Sequence, residues 1–183
     1  IWNAALIKKI FLPREMFPVA SVYVAIVHFV PQLVVLLVGS LFYDWRPTLL
    51  GTAAILAGFV IVTFAALGLG LIFGCLNVFF RDSENLVDLI LMIATWVSPV
   101  LYPADKVKDV VPEWMWHIYQ ANPVTVAVEL FHYGFWSAAT GESVPGIGSI
   151  PMLTLVGLVG SLIVLGLGQL AFKRTEGKFA QEL

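Results

Sequence analysis

The sequence predicts an all-α polytopic membrane protein. Hydrophobic residues make up 60% of the 183 positions and charged residues only 12%, which leaves too little polar surface for a soluble fold of this size. Several apolar segments also reach the length of about 20 residues that a helix needs to cross the roughly 30 Å hydrocarbon layer. The net charge of −2 argues against a nucleic-acid partner, because phosphates attract a basic surface.

Four transmembrane helices are expected. Residues 20–43 and 49–74 contain no Lys, Arg, Asp or Glu and are joined by a tight turn at residues 44–47. Residues 86–102 form a shorter third candidate, and residues 150–172 form the last full span.

Residues 105–136 are expected to form a re-entrant helical hairpin on the external side. The apolar residues 124–136 are too short to cross, and Asn122-Pro123 breaks the chain just before them. Irregular backbone at membrane depth is tolerated only where it is buried in protein or lines a wet cavity. The hairpin is therefore expected to border a vestibule.

The distribution of basic residues predicts the orientation. One face carries Lys8, Lys9, Arg14, Arg81, Lys173, Arg174 and Lys178, and the other carries Arg46, Lys106 and Lys108. Seven against three makes the first face cytoplasmic by the positive-inside rule. Both ends of this chain are then cytoplasmic in a multi-pass protein of the plasma (inner) membrane.

Residues 1–18 are interpreted as a cytoplasmic interfacial segment and residues 19–183 as the transmembrane domain. The first segment contains both basic and apolar residues, which suits a short interfacial helix broken by Pro13. Two interpretations remain open: a membrane-surface anchor, or a docking element for a cytoplasmic partner. The start at Ile1 suggests a chain that begins partway through a longer protein.

A charged elbow at residues 77–86 precedes the third span. Ser83 is expected to cap the following helix, and Glu84 favours its N-terminus. Composition alone also fits an ordinary cytoplasmic loop.

An ordered series of motifs resembles a known family. Phe80-Arg81-Asp82 precedes a span that ends in Trp-Val-Ser-Pro-Val-Leu-Tyr-Pro at residues 96–103, and Ala121-Asn122-Pro123 follows. Together with the basic segment from Lys8 to Pro18, the series resembles the permease subunits of type-2 ABC exporters. The similarity is closest to the branch that exports lipid-linked polysaccharide, such as O-antigen, teichoic acid and mycobacterial galactan.

The resemblance implies a non-catalytic permease that acts as a homodimer with two separate nucleotide-binding subunits, which hold ATP and Mg. This chain would supply spans three to six of six, with the first two spans missing. No Walker-type phosphate loop occurs in the chain, so ATP hydrolysis is expected in the partner. The expected ATPase-coupling residues are Lys8, Lys9, Arg14, Glu15, Arg81, Asp82 and Glu84.

Aromatic residues cluster around the third span and the hairpin. Such a cluster fits a plain interfacial belt, but aromatic faces also stack on sugars, and the related exporters are thought to line their path this way. We place Trp96 and Tyr102 in the path before the others. The full set of expected path residues is Trp96, Tyr102, Trp114, Trp116, Tyr119, Glu129, Phe131 and His132.

Polar pairs and glycines occur within the apolar segments. His28 and Gln32 share one helix face, which favours a hydrogen bond to another helix. Glu129 and His132 suit either polymer hydroxyls or a wet vestibule, and neither pair offers enough ligands for a metal. The glycines indicate close helix packing or dimerisation. They are Gly68, Gly70 and Gly74 in the second span and Gly157, Gly160, Gly166 and Gly168 in the last.

The sequence thus favours the permease of an ATP-driven exporter that moves polyprenyl-linked glycan outward. One alternative is a type-2 ABC exporter of drugs or small lipids, which would need a less aromatic path. Another class is a membrane-embedded enzyme acting on lipid-linked sugars. Such an enzyme should cluster carboxylates or His at one membrane face, whereas the acidic residues here are scattered.

Overall fold

The computed structural model describes residues 16–80, 83–137 and 149–175. These residues form seven α-helices and one π-helical segment, with no strand among them, which confirms the all-helical fold class. The helices are α1 (Met16–Leu41), α2 (Leu49–Phe79), α3 (Ser83–Val97), α4 (Asp105–Lys108), α5 (Glu113–Ala121), α6 (Pro123–His132), the π-helical segment π1 (Tyr133–Ser137) and α7 (Ile150–Thr175).

Three of the described helices are long and apolar enough to cross a membrane. They are α1 over Pro18–Leu41, α2 and α7. The expected spans at residues 20–43, 49–74 and 150–172 fall on these three helices. Helix α2 runs on to Phe79, because the apolar sequence continues without a breaker beyond Gly74.

Helix α3 is shorter than the span expected at residues 86–102. Its 15 residues rise about 22 Å at 1.5 Å per residue, less than the roughly 30 Å hydrocarbon thickness. The helix ends at Val97 because Pro99 disfavours helical geometry at Ser98. The Ser98 hydroxyl donates to the Ala94 carbonyl at 2.8 Å and closes the last turn. The four-span arrangement therefore stays a prediction.

The expected hairpin contains three helices and π1 rather than two helices. Its break at Asn122-Pro123 has a clear local cause: the Asn122 side chain accepts from the Val124 backbone N–H at 3.0 Å, and Pro123 occupies the first helical position. Val126 and Leu130 on α6 are fully buried against Ile61 of α2. Helix α6 is thus a core element packed on α2 and α7, and its external, re-entrant placement stays a prediction.

Helices α2 and α7 cross at glycines. A Cβ atom built on Gly68 would lie 2.6 Å from the Leu165 backbone nitrogen, and one on Gly168 would collide with the Gly68 carbonyl. Only a residue without a side chain permits this approach. A Cβ atom on Gly70, in contrast, would have no atom within 4 Å. The packing interpretation therefore holds for Gly68 and Gly168.

The turn between α1 and α2 is anchored to π1. Asp44 adopts a left-handed conformation with φ of 58°, which Asp tolerates better than most residues. The reversal buries Trp45, whose indole N–H donates to the Gly134 carbonyl at 2.9 Å. The Trp45 and Phe135 rings also pack at 5.4 Å between centroids.

Helix α1 contacts the other described helices along one narrow stripe. Phe29 stacks on Phe59 of α2 at 5.7 Å and meets Phe131 of α6 edge-on at 6.4 Å. His28 and Gln32 lie on the exposed side. The hydrogen bond that we expected from this pair to another helix is absent among the described helices, because the pair points away from α2.

Candidate functional site

The expected coupling residues fall largely outside the described ranges. Lys8, Lys9, Arg14, Glu15, Arg81 and Asp82 all lie there, and only Glu84 is described. Glu84 occupies the exposed first turn of α3, where its negative charge complements the helix dipole.

Ser83 connects α3 backwards to α2. Its hydroxyl lies 2.6 Å from the Phe80 carbonyl and 3.1 Å from Asn77 Oδ1, both of which are acceptors near the end of α2. The expected role was to cap α3 by accepting a hydrogen bond. Instead Ser83, which is buried, donates towards the preceding helix and fixes the elbow between α2 and α3.

Two of the expected path residues are open to their surroundings. Trp96 near the end of α3 is 66% exposed, and Trp114 on α5 is 61% exposed. Both indole faces are therefore available for stacking on a ligand or for contact with lipid.

Tyr102 has a structural role beside Trp96. Its hydroxyl lies 2.9 Å from the Trp96 carbonyl and 2.7 Å from the Val97 carbonyl, which are unpaired groups at the end of α3. The phenol thus caps α3 through its single proton, and Tyr102 holds the end of the helix that carries Trp96.

Trp116 and Tyr119 are buried with Ala104 in a small cluster of their own. Their rings stack at 5.6 Å between centroids. Burial, and to a lesser extent interaction with Tyr102, raise the pKa of the Tyr119 phenol above its ordinary value, which already keeps a phenol neutral at physiological pH. These two aromatic residues pack inside the protein, unlike Trp96 and Trp114.

Helix α6 presents Glu129 and Phe131 to different neighbours. Glu129 is 4% exposed and lines a cavity with Tyr119, whereas Phe131 packs against Phe29 of α1. His132 Nδ1 lies 3.8 Å from Glu129 Oε1, too far for a hydrogen bond. The eight expected path residues are therefore spread over exposed, partly buried and buried positions rather than gathered on one surface.

A second aromatic cavity, of about 640 Å³, lies between the end of α1 and π1. Tyr43, Trp45, Phe135 and Trp136 contribute rings to its lining. Phe135 and Trp136 belong to the aromatic cluster noted in the sequence, but Trp45 comes from a distant turn, so only the folded chain brings these rings together.

Thr125 and Trp45 are buried polar side chains that sequence reasoning missed. Thr125 is 3% exposed and lies one helical turn before Glu129 on α6. The spacing of four between two polar residues in an apolar segment was the available signal. No signal marked Trp45, because its partner is a backbone carbonyl 89 positions away.

Residues 8–136 match the family described as ABC-2 type transporter. An O-antigen export system permease protein RfbA from Klebsiella pneumoniae is 36% identical, with coverage of 73% of this chain and 52% of the relative. A second protein of that name and organism is 31% identical and covers 100% of this chain and 66% of its own length. A namesake from Myxococcus xanthus is 30% identical over 57% of this chain and 40% of the relative. The chain thus spans about half to two thirds of the length of the two Klebsiella pneumoniae relatives.

Proposed function

This chain belongs to the ABC-2 type transporter family, and on that premise we propose that it is part of the permease of an ATP-driven exporter of lipid-linked polysaccharide. The observation that carries the proposal is the similarity to permeases named for O-antigen export, at 30–36% identity. The substrate class is a polyprenyl-linked glycan, moved outward across the plasma membrane.

The energy source of the proposed exporter lies in a partner. The chain contains no Walker-type loop, so ATP and Mg bind to a separate nucleotide-binding subunit. Two permease copies and two such subunits form the exporter. The basic segment before α1 and the elbow before α3 receive the motion of the ATPase, and Ser83 passes the movement of the elbow to the end of α2.

The exposed indoles support a glycan path. Trp96 and Trp114 present aromatic faces that stack on the C–H faces of sugar rings. Tyr102 keeps Trp96 in place by capping the end of α3. A path for drugs or small lipids would have less use for such stacking surfaces.

The experiment that tests this function uses the full-length permease in lipid vesicles. We would purify it with its co-purifying subunits and measure ATP hydrolysis with added polyprenyl-linked glycan, with the free polyprenyl phosphate as matched control. Stimulation by the glycan alone supports the proposal. Stimulation by drugs or simple lipids alone would favour the alternative exporter, and an absence of any ATPase would contradict an ATP-driven permease.

The coupling role is tested separately in the same vesicles. Charge-removing substitutions at Arg14 and Glu15 should leave assembly intact but reduce export per ATP hydrolysed. Substitution of the exposed Lys106, on the other predicted face, serves as the control. Unchanged coupling in the Arg14 and Glu15 variants would assign this segment to membrane anchoring instead.

A further inference from the structure

All the unpaired buried side-chain oxygens of the described structure belong to residues of one cavity. Four such oxygens make no hydrogen bond of ordinary geometry among the described residues: Tyr119 Oη, Thr125 Oγ1 and both carboxyl oxygens of Glu129. The Tyr102 side chain interacts with the Tyr119 hydroxyl and favours its protonated form, so the oxygens of Thr125 and Glu129 carry most of the argument. Each of the three residues is at least nine-tenths buried, and all three line the same small cavity. Buried polar groups in folded proteins are almost always hydrogen bonded. Because these oxygens meet at one cavity, a single small hydrogen-bonding molecule bound there would satisfy several of them.

The cavity lies where α5, α6 and α7 meet. Thr125 and Glu129 face it from successive turns of α6, and Tyr119 faces it from α5. The remaining lining comes from Ala104, Trp116, Gln120 and Leu153. Its volume is about 10 Å³, which is close to the smallest space that holds one water molecule.

We propose that this cavity is a binding site for one ordered water molecule, held by Tyr119, Thr125 and Glu129. A buried water makes two to four hydrogen bonds, and the three side chains offer that number. The water donates to a Glu129 carboxyl oxygen, and the hydroxyls of Tyr119 and Thr125 each either donate to the water or accept from it. His132 does not take this role, because its ring nitrogen remains 3.8 Å from the carboxyl group.

The size of the cavity and the polar groups that line it favour water over a larger ligand or a metal ion. The cavity has room for about one water molecule, which is too little for a sugar ring. Ca²⁺ and Mg²⁺ take six or more oxygen ligands, and the unpaired side chains supply four oxygens at most. The described residues also contain no group of three or more His, Cys, Asp and Glu that could hold a metal.

The chain changes direction at Asn122-Pro123, between α5 and α6. The bound water would connect these two helices. Its hydrogen bonds bridge α5 to α6 from the inside of that corner, next to the stacked Trp116 and Tyr119 rings. The two helices are then expected to move as one unit. This inference does not depend on which substrate the exporter carries.

The first test is a structure of the full-length permease at a resolution that resolves ordered water. We expect a density peak within about 2.6–3.2 Å of Tyr119, Thr125 and Glu129 oxygens. An empty cavity would overturn the proposal. A direct Tyr119–Glu129 hydrogen bond that closes the space would do so too, as would a peak that appears only when a particular cation is present.

A double-mutant cycle measured by thermal unfolding gives a second test that does not depend on seeing the water in a density map. Tyr119→Phe and Thr125→Val each remove one partner of the water and should each lower the unfolding temperature of the full-length protein. The double variant should lose less than the sum, because both substitutions disrupt the same water. His132→Gln, one turn away but outside the hydrogen-bonded set, is the control. Strict additivity of the two substitutions would count against a shared water.

Discussion

Trp45 and Tyr102 show how single side chains fix the ends of helices in this fold. Each donates a hydrogen bond to backbone carbonyls, Trp45 to Gly134 at 2.9 Å and Tyr102 to the last turn of α3. Trp and Tyr combine a large apolar ring with one polar atom, which suits them to buried or partly buried sites that need one donor.

We expect Trp45→Phe to destabilise the protein while leaving its shape intact. Phe keeps most of the ring contact with Phe135 but leaves the Gly134 carbonyl without its indole donor, which costs about 1–3 kcal/mol for a buried group. The measurement is the midpoint of thermal unfolding of the purified full-length protein. Trp114→Phe, at an exposed indole, is the matched control and should change the midpoint little. Equal effects of the two substitutions would show that the Trp45 hydrogen bond contributes little to stability.

At Trp96 we expect a loss of transport without a loss of assembly. The side chain is 66% exposed and makes little packing contribution, so Trp96→Ala should leave expression and subunit association unchanged. If the indole stacks on sugar, glycan export should fall several-fold relative to wild type in a cell-surface polysaccharide assay. Phe42→Ala, at an exposed aromatic residue of the α1–α2 turn, is the control. Normal export in Trp96→Ala would identify Trp96 as a lipid-facing residue.

At the scale of whole elements, backbone contact holds α2 and α7 together. Glycines at the crossing allow the two helices to approach more closely than any side chain would permit. Gly68 and Gly70 lie on the same helix but on different faces. An Ala substitution changes helix propensity at both positions but affects packing against α7 only at Gly68, so comparing the two variants isolates the packing effect.

Gly68→Ala should destabilise the crossing, whereas Gly70→Ala should not. A methyl group on Gly68 would lie 2.6 Å from the Leu165 backbone nitrogen, and overpacking of this kind costs about 1–3 kcal/mol. The methyl group on Gly70 meets open space, so its main effect is on helix propensity. Resistance to thermal unfolding in the same detergent compares the two. A similar outcome for both variants would show that α2 and α7 separate easily.

Periodicity and length predicted the elements α1, α2 and α7 because a long apolar run has few structural alternatives. The same reasoning overestimated α3, since residues 98–102 are apolar but contain the Pro99 break. It also assigned both Glu129 and Phe131 to the path; these residues are two apart and lie on different sides of α6, so the assignment stays a prediction. Tertiary partners such as Phe29 and Tyr119 decide these positions, and no local pattern encodes them.

For the molecule as a whole, the topology depends on whether α3 crosses the membrane. Three described helices have the length to span a membrane, and an odd number of spans would place the ends of the described chain on opposite sides. A fourth crossing requires α3 together with the residues that follow it.

Cysteine labelling in intact cells should decide whether α3 crosses. Cys75 is buried and would first be replaced by Ala, together with any other cysteine of the full-length protein. In the four-span arrangement, the Lys106→Cys variant reacts with a membrane-impermeant thiol reagent added outside the cell. The Glu84→Cys variant reacts only after the cells are permeabilised. Both positions are exposed, with Glu84 in the first turn of α3 and Lys106 beyond its last residue. Labelling of the two positions from the same side would show that α3 does not cross.

The bond from Trp45 to Gly134 imposes an order on biogenesis. Ribosomes synthesise the α1–α2 turn long before Gly134 exists, because the partners lie 89 positions apart. During that interval the indole N–H has no native acceptor and must be satisfied by water or lipid headgroups at the membrane interface. The turn therefore reaches its final geometry only after the later helices have been inserted. Until then α1 and α2 lie in the bilayer without this native contact.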